Sequence, residues 1–292
     1  MRFPTILAAL LCFAAPAFAE DKSILLIAGP PSHGPGEHEH NAGVQLLAKC
    51  LKDVPNLKVE FQLNGWPKDP AMLENRAAII IQSDGGGGHP ALGGDHLDQL
   101  QKQISKGTGF GTIHYAVEPT IPKGEKEFLD WMGGCFEINW SVNPHWDADF
   151  TKLPEHAVTR GVKPFKINDE WYFHMRFREN PKGVTPILSA IAPDSTMTRP
   201  DGTHSGNLAV RKEVADKVPQ HMMWVCENDN GQRGFGFTGA HYHKNWGDEN
   251  FRRVALNAIL WIAHIEVPAN GVQSTVTPEE LAANLDPKGK KK

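Results

Sequence analysis

Histidine and carboxylate side chains, the groups that move protons and bind metal ions, gather at a few points of this sequence. In the stretch 109–118, a short apolar run ends in His114 and Tyr115, and Glu118 follows four residues after the histidine. A run of this kind predicts a buried strand that delivers polar groups to one edge of a sheet. Histidine titrates near neutrality, so we expect His114 and Glu118 to act as catalytic acid or base. A core histidine with a satisfied ring is the alternative.

A second group of candidates lies in the loop 29–40, which carries His33, His38 and His40 with two glutamates. These histidines could form a metal-binding loop, a set of catalytic bases or a solvated entry to a helix. The i, i+2 spacing of His38 and His40 differs from the i, i+4 spacing of helical zinc motifs. A metal site here would be of the open, catalytic type, with two or three histidines and a carboxylate. Its cofactor would be a divalent metal such as zinc, and no nucleotide cofactor is expected.

Asp84 and His89 flank four consecutive glycines in the loop 83–90. The glycine run could cradle an anion through backbone N–H groups, although it lacks the lysine and the spacing of a P-loop. A plain flexible turn fits the same residues. We take Asp84 and His89 as candidate substrate-binding residues.

The segment 168–174 places Asp169, Glu170 and His174 beside the aromatic residues Trp171 and Tyr172. Desolvation by the rings would raise the pKa of a carboxyl group and suit it to acid or base catalysis, with His174 orienting it. Trp171 and Tyr172 are expected to stack on a sugar ring. The alternatives are a salt-bridged surface pair and a satellite aromatic core.

A glycine-rich strand at 233–240 ends in His241 and His243. In an extended chain these two side chains point to opposite faces, so we expect only His241 to face the site. His241 and Tyr115 complete the set of candidate substrate-binding residues. Other histidines are expected to be structural or at the surface; they are His96, His145, His156, His204, His221 and His264.

The fold expected around these residues is an α/β domain. Unbroken apolar runs at 23–28, 77–82 and 109–113 alternate with helical patterns, which predicts a mostly parallel central sheet flanked by helices. Ligands bind outside the carboxyl ends of such strands, where the polar loops fall. Residues 124–231 are rich in aromatics and turns, and we interpret them as an insertion of short strands that includes 184–191 and 222–226.

The ends of the chain are expected to lie outside the core. Residues 1–19 have the positive start, apolar centre and small-residue cleavage site of a signal peptide, which predicts export to the periplasm or beyond. Residues 269–292 are expected to form a tail that contains a short helix with a capping box at 277–280. Its lysine-rich end, residues 288–292, is expected to be solvated.

Composition limits the remaining possibilities. The 292 residues are 40% hydrophobic with a net charge of -4, so nothing indicates a nucleic-acid partner, and no segment resembles a membrane span. After removal of the signal peptide the cysteines are Cys50, Cys135 and Cys226, an odd number without CxxC spacing. A disulfide framework or cysteine zinc site is not indicated. One disulfide among the three stays open, as does the oligomeric state.

Several stretches together resemble the ThuA-like (trehalose utilisation) family, whose fold is that of class I glutamine amidotransferases. The stretches are 33–40, 84–90, 111–118, 140–146, 169–176 and 234–261. The resemblance implies one flavodoxin-like, amidotransferase-like domain over residues 20–268. It also implies a role in sugar catabolism, on glycosides or oxidised (3-keto) sugars.

The resemblance also identifies what this chain lacks. Glutamine amidotransferases carry a cysteine nucleophile on the turn after the strand that here ends in His114, and this sequence contains no Gly-x-Cys elbow. Glutaminase activity is therefore not expected, because it needs an activated thiolate. We expect a hydrolase, lyase or isomerase that cleaves or isomerises a small carbohydrate by acid–base or metal-assisted chemistry. A non-catalytic sugar-binding module is the alternative, and metal storage is a third possibility.

Overall fold

The computed structural model describes residues 21–288. The expected signal peptide and the last four residues lie outside this range. The strands are β1 (Lys22–Ala28), β2 (Leu57–Gln62), β3 (Ala78–Gln82), β4 (Gly109–Ile113), β5 (Gly134–Cys135), β6 (His145–Phe150), β7 (Phe165–Glu170), β8 (Arg176–Phe177), β9 (Val184–Ala190), β10 (Gln220–Glu227) and β11 (Arg233–Phe237). The α-helices are α1 (His40–Leu51), α2 (His96–Ile104), α3 (Glu125–Met132), α4 (Leu208–Ala215), α5 (Glu249–Ile262) and α6 (Pro278–Leu281).

Seven strands form the central sheet in the order β2-β1-β3-β4-β11-β10-β9. The first five are parallel, and β10 is antiparallel to both β11 and β9. Every residue of β3 and β4 is buried, because helices cover both faces of the sheet. One face packs on α1 and α5 and the other on α2 and α3. The predicted mostly parallel sheet flanked by helices is confirmed.

The centre of the sheet is packed closely enough to require glycine. A Cβ atom on Gly109 would lie 2.2 Å from the carbonyl oxygen of Ile262, and one on Gly111 would lie 2.3 Å from the ring of Phe235. Both distances are far below van der Waals contact, so neither position accepts a side chain without movement of its neighbours. The close packing fixes where β4 ends and thus where His114 lies.

The region 124–231 differs from the expected insertion of short strands. The predicted strands at 184–191 and 222–226 are β9 and β10, and both belong to the central sheet. The rest of the region contains helices α3 and α4 and two separate two-stranded sheets, β5–β8 and β6–β7. Strand β6 alternates exposed and buried residues along its length, the pattern of a strand with one solvated face.

The C-terminal segment folds back onto the domain. Helix α6 has the predicted capping box between Thr277 and Glu280. Beyond it, the backbone N–H of Asp286 donates to Glu39 and the ammonium of Lys288 pairs with the same carboxylate at 3.3 Å. The side chain of Lys288 is only 5% exposed, which corrects the expectation that it is solvated.

Candidate functional site

The candidate site lies at the carboxyl ends of the parallel strands. The loop after β1 carries His38, the loop after β3 carries Asp84, and the turns after β4 and β11 carry His114 and His241. Glu170 is added from outside the central sheet, as the last residue of β7. Because parallel strands end at the same edge, residues far apart in sequence meet there.

Four ligand atoms converge to form what we call the His3Glu cluster, made of His38, His114, His241 and Glu170. His38 Nε2 lies 3.0 Å from His114 Nε2 and 3.0 Å from His241 Nδ1. Glu170 Oε2 lies 3.0 Å from His241 Nδ1 and 3.6 Å from His114 Nε2. All four side chains are buried or nearly so.

The hydrogen-bond partners of two of these rings fix their tautomers. His38 Nδ1 lies 2.6 Å from Asp84 Oδ1, and His114 Nδ1 lies 2.9 Å from the carbonyl oxygen of Thr238. A carboxylate and a carbonyl only accept, so both Nδ1 atoms carry the proton. Burial lowers the pKa of His38 to about 4 and that of His114 well below its ordinary value, so both rings are neutral at pH 7. Their Nε2 atoms therefore present lone pairs to the same space.

Asp84 supports the His3Glu cluster through Nδ1, the second ring nitrogen of His38. Its Oδ1 accepts hydrogen bonds from His38, from the Ser32 hydroxyl at 2.8 Å and from His40 Nε2 at 3.3 Å. Burial alone would raise the pKa of Asp84, but the hydrogen bonds from His38 and His40 outweigh it and hold the pKa below its usual range. An ionised carboxylate on the remote nitrogen is the arrangement that orients histidine ligands of metals.

His114 occupies the sharp turn directly after β4 with a backbone φ of 59°. Residues other than glycine rarely adopt this left-handed conformation, and where they do the strain is concentrated at functional sites. The turn is the one expected to hold a cysteine in an amidotransferase. In this chain the turn carries His114, whose imidazole points toward the other residues of the cluster.

The two neighbouring acids at the end of β7 have different positions. Glu170 Oε1 accepts from Asn143 at 3.0 Å, and its Oε2 accepts from the Tyr172 hydroxyl at 3.2 Å. Asp169 is fully buried and accepts backbone N–H groups of Ala240 and His241. Asp169 thus fixes the turn that carries His241, whereas Glu170 faces the cluster.

Several predicted site residues lie elsewhere in the fold. Trp171 is 0% exposed and packs among core aromatic rings, so its indole has no face open to a sugar. His89 caps a turn, accepting from the Ala91 N–H, and its other nitrogen bonds the Ala116 carbonyl. His174 contacts Trp140 and Glu213 instead of the cluster. Tyr172 contacts the cluster, but as a buried phenol and not as a stacking platform.

The three histidines of the loop 29–40 also occupy different places in the structure. Of its three histidines only His38 belongs to the His3Glu cluster. His40 is buried behind Asp84, and His33 stacks on the His38 ring at a centroid distance of 3.6 Å. His33, His38 and Asp84 form a second group whose ligand atoms lie within 4.8 Å of one another. The expected split between His241 and His243 is observed, since His243 bonds the Leu281 carbonyl.

The rim above the cluster is made of partly exposed polar residues. His145 is 48% exposed, with Nε2 3.8 Å from Glu170 Oε1 and Nδ1 3.1 Å from the Tyr242 hydroxyl. The half-buried ring of Tyr115 lies beside His38, and Glu118 bonds His204 with both oxygens. The sequence alone did not point to His204, which sits in a turn-rich loop without periodicity.

A groove of about 390 Å³ adjoins this rim. Its lining includes Glu37 and Tyr242, which border the cluster, together with the apolar side chains of Leu281 and Leu285. This volume falls in the range of small-molecule sites. The groove reaches the rim through Tyr242, and none of the four cluster residues lines it.

The donor set of the His3Glu cluster fits a divalent metal such as zinc. Tetrahedral zinc with bonds of about 2.1 Å separates its ligand atoms by about 3.4 Å. Four of the six separations among these atoms are 3.0 to 3.6 Å, which bracket that value, and all six are within 4.8 Å. Three imidazole nitrogens and one carboxylate oxygen are ligands that zinc accepts.

Fold and site together define the class: an α/β protein of flavodoxin-like, glutamine amidotransferase-like fold with histidine and carboxylate groups at its strand ends. The chain matches the ThuA family, described as trehalose utilisation, over residues 31–262, and it belongs to that family. The family has a role in carbohydrate metabolism. No curated protein matches the sequence.

A solved structure has the same fold. A crystal structure of a ThuA-like protein from Bacteroides uniformis superposes with a TM-score of 0.57 at 16% sequence identity, covering 85% of this chain and 94% of that one. PurLQS from Thermotoga maritima gives a TM-score of 0.42 at 12% identity, covering 84% of this chain and 98% of that one. Among residues 21–288, none of the helices is long and apolar enough to cross a bilayer.

Proposed function

We propose that this protein is an exported enzyme that cleaves or isomerises a glycoside or an oxidised (3-keto) sugar with the help of a divalent metal held by the His3Glu cluster. The observation that carries the proposal is the convergence of His38 Nε2, His114 Nε2, His241 Nδ1 and Glu170 Oε2 within 4.8 Å. Family membership supports a carbohydrate as the substrate class. The pattern of residues 1–19 supports export.

The contact between the His38 and His114 rings supports a bound metal. Neutral His38 and His114 have no proton between their Nε2 atoms, so the 3.0 Å contact sets lone pair against lone pair. Burial makes protonation of either ring unfavourable. A cation placed among the four atoms would turn this repulsion into attraction.

The residues divide into holding and positioning roles. His38, His114, His241 and Glu170 would hold the ion, Asp84 would orient His38, and Asn143 would orient Glu170. When bound, the metal would act as a Lewis acid that polarises a hydroxyl or keto oxygen of the sugar.

Thiol chemistry has no support among residues 21–288. Cys50, Cys135 and Cys226 are unpaired and buried, and burial raises the pKa of each thiol. A raised pKa disfavours the thiolate that attack on an amide requires. We therefore propose no glutaminase activity.

Turnover of defined glycosides tests the proposal. Metal-stripped and zinc-reloaded protein would be compared on methyl and p-nitrophenyl glucosides of both anomers, and on their 3-keto forms. We expect cleavage only after reloading, and none by a His38→Ala variant. Turnover that survives both metal removal and that substitution would contradict the proposal.

The alternative is a sugar-binding module without catalysis. Its motivation is the groove beside the rim, which could hold a ligand without any chemistry. Calorimetric titration of glucose and trehalose against the zinc-loaded protein and a Glu170→Gln variant separates the two. Equal affinity for both proteins with no turnover would favour the binding module.

A further inference from the structure

The described residues contain a second histidine–carboxylate pair on the rim, which we call the rim dyad: His204 and Glu118. His204 Nε2 lies 3.0 Å from Glu118 Oε2 and 3.1 Å from Oε1. The Glu118 side chain is 4% exposed and the His204 side chain is 28% exposed. The carboxylate is thus buried and fixed, while the imidazole reaches solvent. A carboxylate that holds one nitrogen leaves the other free to give and take a proton.

The Tyr115 ring lies near both the rim dyad and the His3Glu cluster. The Tyr115 ring centroid is 6.5 Å from that of His204 and 6.2 Å from that of His38. Glu118 also lines the exposed glycine loop, because a Cβ on Gly86 would sit 3.5 Å from its Oε1. A sugar lying across Tyr115 could reach both groups.

The groups around His204 favour its charged form. The hydrogen bond that His204 donates to Glu118 raises the pKa of His204, and the charge of Glu170 adds to this. Burial opposes the shift, and so does the nearby guanidinium of Arg199, which donates to the His204 carbonyl. The ring stacks on Phe136, and its Nδ1 lies 3.2 Å from the Thr203 hydroxyl.

We propose that His204, held by Glu118, donates a proton to the leaving-group oxygen of a glycoside bound between the rim dyad and the His3Glu cluster. The proposal rests on the proposed function. As the bond between the anomeric carbon and that oxygen breaks, the oxygen takes the proton from His204 Nδ1. A water molecule adds its hydroxyl to the anomeric carbon and releases its other proton to solvent, from which His204 is reprotonated.

The choice of leaving group tests this role directly. A p-nitrophenolate leaves without a proton, whereas methoxide needs one, so a lost proton donor affects only the second substrate. With zinc-loaded protein we expect His204→Gln and Glu118→Gln to lower kcat/KM on the methyl glycosides by about 100-fold or more. Both variants should stay within a few fold of wild type on the p-nitrophenyl glycosides. His96→Gln, at a histidine that stacks on Trp66 and bonds the Pro90 carbonyl, is the matched control and should change neither.

The outcomes separate the two proposals. An equal loss on both substrates, or no loss on the methyl glycosides, overturns the role of the rim dyad and leaves the metal-dependent reaction intact. If the wild-type protein cleaves neither substrate in any form, the proposed function is contradicted, and so is the role of His204 as proton donor.

Discussion

The Nε2 atoms of His38 and His114 face each other at 3.0 Å with no proton to share. Each neutral ring donates its single N–H proton from Nδ1: His38 donates to Asp84, and His114 donates to the Thr238 carbonyl. The protein thus keeps two lone pairs together inside a buried site, next to the Glu170 carboxylate. Such an arrangement is costly for a protein without a ligand and favourable once a cation is bound.

Replacement of Asp84 tests the support behind the cluster. An Asp84→Asn variant keeps the shape of the side chain but removes the charge that holds the Nδ1–H tautomer of His38. We expect zinc affinity to fall by about 10- to 100-fold, the usual effect of losing such a partner. Isothermal titration of stripped protein with Zn²⁺ gives the value. Asp98→Asn, on the exposed side of α2, is the control; equal affinities for the two variants would contradict the role of Asp84.

Stability should fall as the pH drops from about 6.5 to about 4. Burial lowers the pKa of His89 from an ordinary 6.5 to about 4, so the unfolded chain binds a proton in this range that the folded protein does not. Stability rises with pH wherever the unfolded state binds more protons. Each such histidine contributes about 1.4 kcal/mol per pH unit inside the window. Burial also lowers the pKa of His38 to about 4, so His38 adds to the loss of stability at low pH.

Urea unfolding at several pH values measures this effect. A His89→Asn variant can still accept from the Ala91 N–H but does not titrate, so its stability should depend less steeply on pH between 4 and 6.5. A pH dependence identical to that of wild type would show that His89 does not carry the effect.

Lys288 should hold the loop that carries His38. Its ammonium bonds the His38 carbonyl and pairs with Glu39, and both charged side chains are buried. Breaking a buried pair by removing one partner costs about 3 kcal/mol or more. In a Lys288→Met variant we expect faster amide hydrogen exchange in residues 36–40 and weaker zinc binding.

The matched control is Lys126→Met, which removes an exposed pair with Asp130 on α3. Exposed pairs contribute little, so exchange in residues 36–40 should stay as in wild type. If both variants exchange alike, the C-terminal segment does not position the loop.

Much of the site could be predicted because parallel strands end at one edge. Apolar runs without alternation identified β1, β3 and β4, and the polar loops after them brought His38, Asp84 and His114 to the same place. The glycines of β4 are required by packing against α5 and β11. These are local signals that a sequence displays directly.

The other features of the site could not be predicted, because they depend on contacts between segments that are distant in sequence. Glu170 and Trp171 are neighbours in sequence, yet one faces the cluster and the other the core, so an aromatic residue beside an acid does not imply one shared site. The sequence does not distinguish the roles of Asp169 and Glu170, because it does not show that the turn 240–242 packs against Asp169. His204 meets Glu118 across 86 residues, and no spacing rule reveals that pair.

Zinc binding is the most direct test of the His3Glu cluster. The full-length protein would be stripped with a chelator, titrated with Zn²⁺ by calorimetry and checked for metal content after dialysis. We predict one tightly bound ion per chain, and an affinity at least about 100-fold lower for His114→Ala and for His241→Ala. Zinc binding that is absent from the wild-type protein, or unchanged in both variants, would contradict the cluster as a metal site.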